Sequence, residues 1–71
     1  MNVAVIGGGG HGRVIIDMIE KAGELNLVGI LDANISPGEE VLGYRVLGPD
    51  SDIASLVESH GIEAVVVAIG D

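Results

Sequence analysis

Gly7-Gly8-Gly9-Gly10-His11-Gly12-Arg13-Val14 follows directly on the apolar run Val3-Ala4-Val5-Ile6. A strand feeding a glycine-rich turn that opens a helix makes an anion site from backbone alone. The first N–H groups of the helix point at the turn, and the helix dipole adds partial positive charge there. Gly7, Gly9 and Gly12 fall on G-x-G-x-x-G spacing: the first permits a tight turn, the second lets phosphate approach the backbone, and the third lets helix and strand pack closely. Four consecutive glycines satisfy many spacings by chance, so a merely flexible connection is the bland alternative. Context argues for the site. An amphipathic helix follows the glycines, and Asp32 closes a second apolar strand roughly twenty residues past Gly12. Four glycines are also costly in backbone entropy unless the loop is needed.

Around this loop, His11 lies beside the phosphate position or faces solvent on the first turn. Arg13, the cation nearest the loop in sequence, either approaches a phosphate or lies outward. Asp32 is placed to accept hydrogen bonds from ribose hydroxyls, or else caps the loop that follows it. Tyr44, the sole aromatic residue, reads as packing rather than as a platform for a base. Glu39 and Glu40 read as solvated charge. The histidines and serines assemble no nucleophile–base–acid set, no metal-ligand spacing occurs, and there are no cysteines. We therefore expect no catalytic residue and no metal.

Seventy-one residues make at most one small domain, which buries only about 60% of its unfolded surface. The balance of 3 basic and 11 acidic residues gives a net charge of −8. That excludes a nucleic-acid surface, which needs a basic patch. It also means that a bound phosphate is held by local amides rather than by long-range attraction. No apolar run approaches the roughly 20 residues of a membrane span, and Met1-Asn2-Val3 does not open a signal peptide. A cytoplasmic setting without membrane partners is expected.

The elements that must position the loop follow from periodicity. Residues 2–6 predict a buried strand. A helix from about His11 to Ala22 places Val14, Ile15, Met18, Ile19 and Ala22 inward, and Gly23 ends it. Leu25–Leu31 is a second strand, residues 33–43 form a surface loop, and Tyr44–Leu47 is a short third strand on a sheet edge. Gly48-Pro49-Asp50-Ser51 turns into a helix with Ile53, Leu56, Val57 and His60 inward, ended by Gly61. Ala64–Ile69 is a β-branched run expected of a central parallel strand. The fold class is α/β: a small Rossmann-like β-α-β-β-α-β domain over residues 1–71 with a mostly parallel four-stranded sheet. With strand order 3-2-1-4, right-handed crossovers place the two helices on opposite faces. The stop at Gly70-Asp71, where a further helix is expected, reads as truncation after the fourth strand.

With the glycine loop, Asp32, Gly43-Tyr44-Arg45-Val46-Leu47-Gly48 and Ala64-Val65-Val66-Val67-Ala68-Ile69-Gly70-Asp71 in view, the chain resembles a known group. It is similar to the N-terminal domain of sialic acid O-acetyltransferases (NeuD-type) and nucleotide-amino-sugar N-acetyltransferases (PglD-type). The resemblance implies a two-part enzyme. A Rossmann-like domain holds the uridine diphosphate part of a UDP-sugar, and a left-handed β-helix of hexapeptide repeats binds acetyl-CoA and carries the catalytic His. It further implies that Gly8, Gly9, Gly10, His11, Gly12 and Arg13 surround the diphosphate, and that Asp32 faces the uridine. Many members carry a second acid after the first; here that position is Ala33, and Asn34 would supply part of its role. The implied parent is a homotrimer that uses acetyl-CoA as co-substrate. This domain would bind no cofactor and catalyse nothing alone. Exposed Val65, Val66 and Val67 would make it prone to self-association.

Two other readings share the glycine spacing. The first half of an NAD-binding Rossmann domain of an oxidoreductase fits the loop and Asp32, but the segment after Asp32 lacks a full second βα unit. A nucleotide-sensing domain without chemistry is the third.

Overall fold

The computed structural model describes residues 1–68; the expectations for Ile69, Gly70 and Asp71 lie outside them. The chain runs β1 (Asn2–Ile6), α1 (Gly10–Ala22), β2 (Asn26–Leu31), β3 (Glu40–Val41), β4 (Tyr44–Gly48), a 3-10 turn (Asp50–Asp52), α2 (Ile53–His60) and β5 (Ala64–Val67). One five-stranded sheet has the order β3-β4-β2-β1-β5. All pairs are parallel except the β3–β4 hairpin. The order 3-2-1-4, which sets the helices on opposite faces, is present as β4-β2-β1-β5.

The fifth strand corrects the four-stranded expectation. Glu40–Val41, within the span read as loop, folds back on Tyr44–Arg45. Two residues are too few to show an alternating pattern. The hairpin turn is Leu42-Gly43, with φ of 52° and 87°. Such turns need positive φ at both central residues, where Asn-Gly is favoured. Leucine pays about 1 kcal/mol there because its Cβ crowds the following carbonyl. Leu42→Asn is therefore expected to raise stability by about 1 kcal/mol, read as a higher denaturant midpoint at unchanged slope. An unmoved or lower midpoint would contradict this.

Alternation along β1 buries both of its faces. Val3 and Val5 join Ile16, Ile19, Leu27, Ile30 and Val46 in one core cluster. Ala4 and Ile6 join Leu31 and Ile62 in the other, against which Ile53, Leu56 and Val57 of α2 pack. Both faces of the sheet centre are covered, as a parallel sheet requires. Each helix ends on a left-handed glycine, Gly23 and Gly61.

Three packing expectations need correction. The inward stripe of α1 is Gly12, Ile16 and Ile19, whereas Val14 and Met18 are 56% and 59% exposed. Gly12 abuts the β1–α1 turn and fixes the helix rotation; Val14, two residues on, then lies about 200° around. His60 is exposed rather than inward. Among the described residues β5 is an edge strand, not a central one, with Val65 and Val66 half-buried and Val67 63% exposed. A β-branched run predicts a strand but not its place in the sheet. No helix among the described residues is long and apolar enough to cross a membrane.

Candidate functional site

Three backbone hydrogen bonds align the carboxyl ends of β4, β2, β1 and β5. Gly7 N–H donates to the Leu31 carbonyl (2.8 Å), Asp32 N–H to that of Gly48 (2.9 Å), and Ala68 N–H to that of Ile6 (2.8 Å). Above them lies an open cleft of about 440 Å³. Gly9, Gly10 and His11 form one wall, Asp32, Ala33 and Asn34 another, and Asp50 and Ala68 stand at the two ends of the strand row. Clefts at the carboxyl ends of strands are where open α/β sheets bind ligands.

The glycine wall is shaped by two close approaches. Gly7 has φ 106°, a left-handed conformation that glycine reaches without steric cost. Gly12 packs so tightly that a Cβ there would overlap the Gly7 carbonyl. Gly9 is the N-cap of α1, and Arg13 N–H to the Gly9 carbonyl (3.0 Å) is the first helical bond. The N–H groups of Gly9, Gly10 and His11 therefore have no partner among the described residues. They line the cleft with the positive end of the α1 dipole behind them.

Asp32 braces this loop. Its Oδ2 accepts from the Gly8 N–H (2.7 Å) and its Oδ1 from the Asn34 N–H (2.8 Å). Gly8 is buried beneath Ile35 and Val41. Of the residues singled out from sequence, the structure brings Gly9, Gly10, His11, Asp32 and Asn34 together in the cleft. Gly8 and Gly12 are buried and lie outside its lining, and Gly8 has already given its N–H to Asp32. Arg13 is exposed and also outside the lining.

Asp50 was not singled out from sequence, where it reads as part of a turn. The strand order held the signal, because it sets the loop after β4 beside the loop after β2. Tyr44 lies outside the cleft lining. It packs against the first core cluster and donates its hydroxyl to Glu20 Oε2 (2.8 Å). That hydrogen bond, with smaller contributions from desolvation and the Glu20 charge, raises its pKa above the ordinary 10.0.

A mostly parallel sheet with helices on both faces and a glycine-rich β1–α1 turn defines a Rossmann-like domain. The chain belongs to the PglD N-terminal domain family, whose model matches residues 2–71. Among solved structures it is similar to two variants of a perosamine N-acetyltransferase from Caulobacter crescentus in complex with CoA and GDP-perosamine. Each is 41% identical with a TM-score of 0.83, over 100% of this chain and 32% of theirs. PerB from the same organism, also with CoA and GDP-perosamine, is 39% identical with a TM-score of 0.81, over 100% of this chain and 31% of its own. The chain thus spans about a third of the length of these enzymes. No curated protein matches it.

Proposed function

We propose that this chain holds the nucleoside diphosphate of a sugar nucleotide for a sugar acetyltransferase. The observation that carries the reading is the row of unpaired N–H groups at Gly9, Gly10 and His11, opening on a cleft whose facing wall is Asp32–Asn34. The diphosphate sits on those amides, and the His11 ring lies beside it. Each Asp32 oxygen keeps acceptor capacity after taking one N–H, and this receives the ribose hydroxyls, with Asn34 alongside.

In the parent reaction the acetyl group leaves the sulfur of acetyl-CoA for an amine or hydroxyl of the sugar, and CoA departs as the thiol. This domain contributes position: it fixes the acceptor so that the transfer becomes effectively unimolecular. A cytoplasmic setting, a trimeric parent and self-association of this chain through the β5 edge, where Val67 is exposed and Val65 and Val66 are half-buried, belong to the same proposal. The resemblance implies a uridine nucleotide, whereas the similar structures carry a guanosine one. Both fit the amide row.

An NMR amide titration with UDP, GDP and NAD tests the reading. Saturable shifts at Gly9–His11 and Asp32 with the nucleoside diphosphates are expected. Shifts with NAD alone would overturn it in favour of an oxidoreductase, and a folded sample silent to all three would overturn the phosphate site itself.

A further inference from the structure

The sheet order distributes a nucleotide along a line. Resting on the reading that the diphosphate sits over β1, at the start of α1, the ribose falls over β2 at Asp32. The base then falls over β4, two strand spacings or about 10 Å from β1. The residue at that end is Asp50.

Asp32 is occupied with two backbone N–H groups. Asp50 has no side-chain hydrogen bond among the described residues. Its backbone is nonetheless fixed. Pro49 precedes it, the Asp52 N–H closes on the Pro49 carbonyl (3.0 Å), and Ile53 N–H returns to the Asp50 carbonyl. That end of the cleft therefore carries an exposed carboxylate on a fixed backbone, with no side-chain partner of its own among the described residues, and no Lys or Arg lines the cleft.

From this we infer that Asp50 reads the Watson–Crick edge of guanine and sets the nucleotide as a guanosine diphosphate sugar. Guanine offers adjacent N1–H and N2–H donors, which two carboxylate oxygens accept side by side as a charge-assisted pair. Uracil offers one N–H between two carbonyls, and those carbonyls repel a carboxylate. Adenine presents an unprotonated N1 on the same edge. A site built to accept hydrogen bonds discriminates strongly against bases that cannot donate them.

The test compares GDP, inosine diphosphate, xanthosine diphosphate, UDP and pyrophosphate, bound to the wild-type chain and to Asp50→Asn, by calorimetry and amide shifts. In the wild type, GDP is expected to bind tighter than inosine diphosphate and UDP by roughly ten- to a hundredfold. Asp50→Asn is expected to lose that margin and to gain affinity for xanthosine diphosphate, whose C2 carbonyl accepts from the new amide. Pyrophosphate binding stays unchanged. Equal losses for every nucleotide, or a wild type that prefers UDP, would overturn the assignment while leaving the diphosphate site standing. Pyrophosphate and nucleotides all failing to shift Gly9–His11 would instead sink the nucleotide reading, and this assignment with it.

Discussion

Gly12→Ala is expected to lower the unfolding midpoint of this protein steeply. The added methyl would overlap the backbone carbonyl of Gly7, and backbone against backbone has no rotamer to relax into. Overpacking costs 1–3 kcal/mol where side chains can adjust, so a cost above about 3 kcal/mol is expected here. A chain of 71 residues has only about 4–10 kcal/mol of stability in total. The same contact fixes the rotation of α1, so partial relief would displace Ile16 and Ile19 from the core. Circular-dichroism melting reads the outcome. Gly10→Ala is the control: nothing lies within 4 Å of a Cβ there, and it should stay within about 1 kcal/mol of wild type. A Gly12→Ala protein that melts as the wild type does would show that the β1–α1 turn can shift freely.

Asp32→Ala is the second large effect, and it acts on the empty protein as well as on ligand binding. The carboxylate accepts two N–H groups, one from buried Gly8 across 24 residues of chain and one from Asn34. Hydrogen bonds to a charged group are each worth about 1.5–3 kcal/mol. Because Asp32 is half-exposed, water offsets part of this, and a loss of about 2–3 kcal/mol is expected. On the proposed function, nucleotide binding should fall further, since the glycine loop loses its brace and a bound ribose would lose its acceptor. Denaturant unfolding without ligand is the decisive reading. A carboxylate that served only a ligand would leave the midpoint of the empty protein where it was.

Much of this is legible in the sequence. The G-x-G-x-x-G spacing located the turn, apolar and β-branched runs located four of the strands, and Asp32 stood out by its distance from the glycines. The resemblance to the PglD-type group is now matched by the family model over residues 2–71. The turn and the strands are local features: each depends on residues within one turn or one strand.

The sequence by itself determined both helices, four of the five strands and the glycine-rich β1–α1 turn, because glycine placement and hydrophobic period act over a few residues. Only the tertiary structure decided that the Gly8 N–H serves Asp32 rather than a ligand, that Gly12 turns Val14 and Met18 outward, and that β5 lies at an edge. It alone brought Asp50 into the cleft beside Asp32. The Asp32 brace, the place of β5 and the approach of Asp50 depend on contacts between segments far apart in the chain, the helix rotation on close packing of Gly12 against Gly7, and none is written in the spacing of one segment.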